Sequence, residues 1–313
     1  MPDTFLVTGA TGQQGGATAR ELLATGAKVH AYVRDASKPA AKELESLGAT
    51  LFVGDYGNVD AIQAATVGVK GIFINPAPEF GNPEGERQQV QRFVSAAREA
   101  GSVDTLVLSS ANWVPYHQKW LADDPNYPLK DILQSQYNAE QALLACGFKY
   151  HTILRPSWLL HNYTLPTSLM FFPEFAQTGE MRSAIRPDLK IAQLDAYDVG
   201  KFAAAALLNP ELFHGKQISL AVANLSMQDI AREISAVSGK DVPVVFLEPG
   251  ELMKDPSNFF AMMRGVMGSW TNAKEVKHTE EDFALQNSFG IKLTPVRESF
   301  ERLKGSLLTT SRP

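Results

Sequence analysis

The sequence predicts an α/β fold: a doubly wound parallel Rossmann sheet with a smaller C-terminal α+β substrate lobe. Three observations lead there. Short apolar runs alternate with longer helical patterns through the first half of the chain, as expected of parallel strands covered on both faces. A glycine-rich turn directly follows the first of those runs. Beyond Arg155 the rhythm changes, and prolines divide the chain into shorter pieces.

The elements follow in order. Phe5 to Thr8 reads as a buried strand, and Ala17 to Leu23 as a helix closed by the Gly26 breaker. Val29 to Val33, Thr50 to Val53, Gly71 to Ile74 and Thr105 to Leu108 are the next four strands. Val59 to Thr66 and Arg87 to Ala100 are helices between them, and another helix ends near Gly147. Tyr150 to Leu154 is a sixth strand. In the second half, Val199 to Leu208 reads as a helix and Ile218 to Leu220 as a strand. Ser226 caps a helix running to Val237, with Asp229 in its first turn. Val244 to Leu247 is a strand, and Pro243 is tolerated at its start. The expected division is a Rossmann domain over 1–155 and a smaller lobe over 156–313, with the chain re-entering the first domain in part.

Charge and composition narrow the function. The 313 residues carry 29 Lys+Arg against 34 Asp+Glu, a net charge of −5. No dense basic cluster with interleaved aromatics occurs, so nucleic acid is not an expected partner. Cys146 is the only cysteine, which excludes an intramolecular disulfide and a cysteine-based zinc site. The six histidines show no metal-ligand spacing, so no metal is expected. No apolar stretch has the length of a bilayer span, and Met1-Pro2-Asp3 leads into a strand without a signal-peptide core. The expectation is a cytoplasmic protein, with the nucleus as the alternative.

The strongest chemical signal is Thr8-Gly9-Ala10-Thr11-Gly12-Gln13-Gln14-Gly15-Gly16, set between the first strand and the first helix. This is a G-x-x-G-x-x-G variant of the dinucleotide fingerprint. Gly9 allows the tight turn, Gly12 lets the backbone approach a pyrophosphate, and Gly15 lets helix and strand pack closely. Free N–H groups and the positive dipole end of the helix favour phosphate there. Thr11, Gln13 and Gln14 belong to the same binding turn. The second strand ends in Val33-Arg34-Asp35, with Lys38 shortly after. Arg34 and Lys38 suit the 2′-phosphate of NADP, whereas Asp35 keeps NAD open through a ribose hydroxyl.

Together the glycine turn, Tyr32-Val33-Arg34, Gly54-Asp55, Leu108-Ser109-Ser110, Thr152-Ile153-Leu154-Arg155-Pro156 and Asp198-Val199-Gly200 resemble the NmrA-like family of atypical short-chain dehydrogenases. The resemblance runs over nearly the whole chain. It implies that Asp55 and Tyr56 approach the adenine, that Asn75, Pro76 and Ala77 line the cofactor beside the nicotinamide, and that Pro156 belongs to the cofactor site. It also implies one of two roles. Some members reduce aromatic or polyketide-like molecules with NADPH; others bind NADP as redox sensors and regulate transcription through protein partners.

Extended short-chain dehydrogenases use a Y-x-x-x-K pair, and NmrA-like reductases usually keep only the lysine, four residues before a glutamate. Here that glutamate looks like Glu140, which places Gln136 at the lysine position and Ile132 at the tyrosine position. Gln136 can hold a ribose hydroxyl but cannot act as a general acid. Ser110, at the end of the fifth strand beside Ser109, and Tyr116, on the loop that also carries His117 and Lys119, are the other catalytic candidates. Trp158 and Phe172, with Phe171 and Phe175 nearby, form an apolar substrate wall. Met263 and Met267, in a cluster with Phe259, Phe260 and Trp270, complete it. Gly265 and Gly268 fit a mobile lid. The expected function is NADPH-dependent reduction of a small apolar, aromatic molecule. The alternative is a non-catalytic NADP(H) sensor acting on a protein partner.

Overall fold

Residues 2–127, 129–252, 260 and 277–307 are described by a computed structural model of the chain. The strands of the first half are β1 (Thr4–Val7), β2 (Lys28–Val33), β3 (Thr50–Val53), β4 (Gly71–Ile74), β5 (Thr105–Ser109) and β6 (Tyr150–Pro156). After them come β7 (Trp158–Leu159), β8 (Met181–Ser183), β9 (Ile191–Leu194) and β10 (Gln217–Leu220). Among the described residues the central sheet has seven strands in the order β10-β6-β5-β4-β1-β2-β3, with every neighbouring pair parallel. The strand order reverses between β1 and β4, the switch point where open α/β sheets bind ligands at the strand C-termini.

The crossover helices are α1 (Gln13–Ala24), α2 (Pro39–Ser46), α3 (Val59–Thr66) and α4 (Gly85–Ala100), followed by the short α5 (His117–Asp123) and by α6 (Lys130–Leu144). The second half adds two one-turn helices, α7 (Ser168–Phe171) and α8 (Phe175–Thr178), and the longer α9 (Ala196–Leu208). Apolar residues of α1, α2 and α9, among them Leu22, Leu44 and Phe202, pack on one face of the sheet. Those of α3, α4 and α6, among them Ile62, Phe93 and Leu143, cover the other. Both faces are therefore dry, which is why the strands read as continuous apolar runs.

Several element boundaries differ from the sequence reading by one to four residues, and two of them have identifiable reasons. The first helix starts at Gln13 rather than Ala17, because the glycines of the turn also serve as its first turn, with Gly12 at the N-cap. The sixth strand continues through Pro156, one residue past the expected domain boundary, and β10 joins the sheet beside it. Ile218 and Leu220 thus sit in the main core with α9. The remaining lobe is small. It holds a three-stranded sheet of β7, β9 and β11 (Ala223–Leu225) and a two-stranded pairing of β8 with β12 (Val244–Phe246). The helix Met227–Ser238 packs on its core and is capped reciprocally by Ser226 and Asp229, as expected.

Buried acids fasten the C-terminal segment to this frame. Asp198, fully buried on α9, accepts the Thr294 N–H at 2.8 Å and the Lys201 ammonium at 2.7 Å. Asp195 caps α9 through the Tyr197 N–H at 2.9 Å and pairs with Arg302. Between α1 and α9 the limit is steric. A Cβ added at Gly200 would lie 2.6 Å from the Ala17 carbonyl carbon and 2.7 Å from the Thr18 nitrogen. Gly200→Ala should therefore destabilise the protein by about 1–3 kcal/mol, the usual cost of overpacking. Denaturant midpoints measure it, and a loss within about 0.5 kcal/mol would mean that α1 and α9 separate freely.

Candidate functional site

The glycine turn is shaped by three different demands. Gly9 adopts φ +59°, which favours glycine, and its carbonyl accepts the Gly12 N–H at 2.8 Å. A Cβ at Gly15 would sit 2.4 Å from the Gly9 oxygen and 2.6 Å from the Thr8 oxygen, so α1 can lie this close to β1 only with glycine. A Cβ at Gly12 would meet only the Gly9 oxygen, at 3.2 Å, and would otherwise project into open space.

That space is a crevice of about 720 Å³ over the C-terminal ends of β1 to β4. Gly9, Thr11, Gly12, Arg34, Asp55, Tyr56, Asn75, Pro76 and Ala77 all line it, as the sequence reading expects of cofactor residues. Buried hydrogen bonds tie the strand ends together around it. The Asn75 N–H donates to Thr8 Oγ1 at 2.8 Å, and the Tyr56 hydroxyl donates to the Asn75 carbonyl at 2.7 Å. Burial pushes the Tyr56 hydroxyl pKa up, which keeps it a neutral donor.

The charged end of the crevice separates Arg34 from Asp35. Arg34 lines the cavity and has no hydrogen-bond or ion-pair partner among the described residues. The Asp35 carboxylate instead takes the Ser37 hydroxyl at 2.6 Å and the Ser37 N–H at 2.8 Å, bonds that hold its pKa below the usual range. Lys38 lies outside the crevice wall, 4.0 Å from Asp35. Arg92 does line it, with its Nη1 donating to the Tyr56 carbonyl at 3.1 Å. Nothing in the local sequence marks Arg92, which sits inside α4. Gln13 is exposed on the first turn of α1, whereas Gln14 accepts the Ser109 hydroxyl at 2.6 Å and so ties α1 to β5.

A second cavity, of about 210 Å³, lies next along the same edge of the sheet, at the ends of β5 and β6. Its walls are mainly carbon: Trp113, Leu129, Ile132, Leu133, Pro156, Trp158, Leu159 and Phe171. Gln136 and Ser157 also line it. The Gln136 Oε1, Ser157 Oγ, Trp158 Nε1 and nearby Ser110 Oγ are buried and have no hydrogen-bond partner among the described residues. Such orphaned atoms mark places where a ligand completes the bonding. A glycine cradle, an unengaged arginine and these orphaned atoms fit a dinucleotide and a small apolar ligand.

Other candidates lie elsewhere. Phe172 is 1% exposed and stacks on Tyr163 at 5.3 Å, in the core of the lobe, so Phe171 takes the wall position instead. Tyr116 stacks on Trp120 at 5.3 Å and lines neither cavity. His117 is wholly buried, with Nδ1 against the Tyr127 hydroxyl and Nε2 at 2.9 Å from Gln134 Oε1. Met263 and Met267, and the lid at Gly265 and Gly268, lie outside the described residues. Glu140 forms a two-pronged ion pair with Arg155, at 2.8 and 2.6 Å. This pair anchors α6 to β6 and so sets Gln136, one turn earlier on the same face, at the cavity.

Three comparisons with known proteins bear on this geometry. A model of the NmrA-like family matches residues 1–303. The NmrA-like family domain-containing oxidoreductase cpsB of Aspergillus campestris is 28% identical over 256 residues, 76% of this chain and 74% of that protein. Among solved structures, an NADPH-dependent quinone oxidoreductase of Escherichia coli complexed with NADPH superposes with a TM-score of 0.72 at 24% identity, over 96% of this chain and 99% of that one. NmrA, a negative transcriptional regulator in complex with NADP, gives 0.70 at 21% identity, over 97% of this chain and 92% of that one.

One buried acid beside the crevice went unmarked in the sequence. Glu86, at the start of α4, is 4% exposed, and its N–H donates to Ser135 Oγ of α6 at 3.2 Å. Burial, with the like charge of Glu79 adding, pushes its carboxyl pKa up to about 7. The folded protein therefore holds a proton that the unfolded chain releases at the ordinary glutamate pKa of about 4.3. The stability so gained is full below that value and is lost as pH rises toward about 7. Glu86→Gln should gain on the parent by about 1–3 kcal/mol between roughly pH 4 and pH 8. Denaturant titrations at the two pH values read it, and a gap unchanged with pH would mean that Glu86 ionises freely.

Proposed function

Because the chain belongs to the NmrA-like family, we propose that it is an NADP(H)-binding reductase acting on a small apolar, aromatic compound. One observation carries the reading. A carbon-walled cavity lies at the C-terminal ends of β5 and β6, on the edge of the sheet where the dinucleotide crevice opens over β1 to β4, with Gln136 and Pro156 in its wall. Redox chemistry between two bound molecules needs such a neighbouring, water-poor chamber.

Each part of the chain has a task in this reading. The N–H groups at the start of α1 hold the pyrophosphate over Gly12, and Arg34 takes the 2′-phosphate. Asp35 is engaged by Ser37, which favours NADP over NAD. Gln136 and Ser110 offer unpaired polar atoms to the ribose and carboxamide side of the cofactor. When bound, the dihydronicotinamide supplies a hydride. Trp113, Trp158 and Phe171 orient the acceptor and exclude water. Orientation alone contributes most of the acceleration in such a site, since holding reactants in place is worth up to about 7–11 kcal/mol. A general acid adds only about 10²–10⁴-fold.

Ile132 and Gln136 favour a second reading, because they stand where tyrosine and lysine would serve proton transfer. In that reading the chain senses the NADP/NADPH ratio and regulates a protein partner. Incubation with NADPH and a panel of aromatic carbonyls, imines and activated alkenes separates the two. Slow NADPH oxidation with reduced product by mass is expected. No turnover, together with a partner whose affinity differs between NADP and NADPH, would favour the sensor. Separately, Arg34→Ala should weaken NADPH binding about tenfold to a hundredfold and leave NADH binding nearly unchanged. Calorimetry measures both, and equal losses would make Arg34 a structural residue.

A further inference from the structure

We propose that Arg92 is a specificity-determining residue of the dinucleotide crevice: together with Asp55 it reads the adenine base, leaving the 2′-phosphate to Arg34. The inference rests on the cofactor part of the reading above and does not depend on turnover. It begins from position. The crevice opens over neighbouring strands in the order β4-β1-β2-β3. A pyrophosphate over Gly12 belongs to β1, and a 2′-phosphate at Arg34 belongs to the end of β2. The base then falls to the end of β3, where Gly54, Asp55, Tyr56 and Gly57 line the wall. Arg92 reaches that wall from α4 and donates its Nη1 N–H to the Tyr56 carbonyl at 3.1 Å.

Further contacts fix the loop that Arg92 joins. The Tyr32 hydroxyl donates to the Asp55 carbonyl at 2.8 Å. The Tyr56 ring meets Phe93, the neighbour of Arg92 on α4, edge to face with centroids 5.7 Å apart. Asp55 Oδ1 accepts the Gly57 N–H at 2.8 Å, which orients the carboxylate. A carboxylate acceptor and a guanidinium donor thus meet at one pre-organised loop, so a ligand pays little to order them.

Charge decides which part of the cofactor this pair suits. Among the described residues lining the crevice, four are charged: Arg34, Asp55, Glu79 and Arg92. Glu79 accepts hydrogen bonds from Gln89 at 2.8 Å and from Asn82 at 2.9 Å. Those bonds, with the Arg92 charge adding, hold its carboxyl below the usual range. Arg92 therefore shares its part of the crevice with two carboxylates, a poor setting for a phosphate dianion and a good one for a neutral base. Adenine presents an amino donor at N6 beside a ring acceptor at N1, the complement of a carboxylate beside a guanidinium. Hypoxanthine reverses both, with a carbonyl at C6 and an N–H at N1.

The test is calorimetry on the parent and on Arg92→Leu with three ligands: NADPH, NADH and the hypoxanthine analogue of NADPH. The parent should hold NADPH about tenfold or more tighter than the hypoxanthine analogue. Arg92→Leu should weaken NADPH and NADH by the same factor, about tenfold, and cut the preference for adenine several-fold. That pattern differs from the one expected of Arg34→Ala, which spares NADH. Arg92→Gln keeps a shorter polar chain and serves if Arg92→Leu fails to fold. An unchanged preference for adenine, whether or not binding weakens, would mean that Arg92 only braces the Tyr56 loop and would overturn the inference. A loss confined to NADPH would overturn it too, by making Arg92 a second 2′-phosphate ligand. Both results leave the cofactor assignment standing. A parent protein that binds neither NADPH nor NADH would remove that assignment and this inference with it.

Discussion

The contact on which the architecture depends is backbone against backbone at the start of α1. Gly15 lets the helix settle onto the carbonyls of Thr8 and Gly9, where a Cβ would come within 2.4 Å of an oxygen. That approach aims the first N–H groups of α1 into the crevice, so one steric condition creates both a packing contact and an anion site. It also fixes where α1 lies on the sheet. Gly200 then brings α9 against α1, and α9 carries the second half of the chain back over the same sheet face.

A second constraint governs the other end of the site. Glu140 on α6 and Arg155 on β6 form an ion pair, with side chains 2% and 12% exposed. Buried charges of this kind are costly to separate, because each would be left without its partner in a low-dielectric interior. The pair therefore holds α6 to β6 firmly. Gln136 and Ile132, one and two turns earlier on that face, are placed at the cavity as a consequence.

The lobe that closes this chamber is built differently from the Rossmann unit. Its sheets are short, and its core depends on Trp158, Tyr163, Phe172 and Phe175 packing with Met181 and Ile230. Phe172 inside that core and Phe171 on the cavity wall are adjacent in sequence, so one residue of register decides which ring meets a ligand. A composition rich in aromatics specifies that the region is apolar. It does not say which rings face inward.

By itself the sequence determined the α/β class, the parallel strands and the glycine turn, along with most of the crevice residues that follow strand ends. These features answer to local demands: apolar runs of strand length, a turn with φ of +59° at Gly9, and loops that must emerge at one edge of the sheet. It also exposed Ile132 and Gln136 as departures, because their spacing from Glu140 is a property of one helix. Only the tertiary structure decided that Gln14 bonds Ser109, that Asp35 turns to Ser37, that Tyr116 stacks away from both cavities, and that Arg92 reaches the crevice from inside α4. It alone placed β10 beside β6 and buried Glu86 against α6. The physical reason is range. Backbone geometry is set by a few neighbouring residues, whereas a side chain's partner and its burial are set by segments tens of residues away, which meet only once the helices have packed.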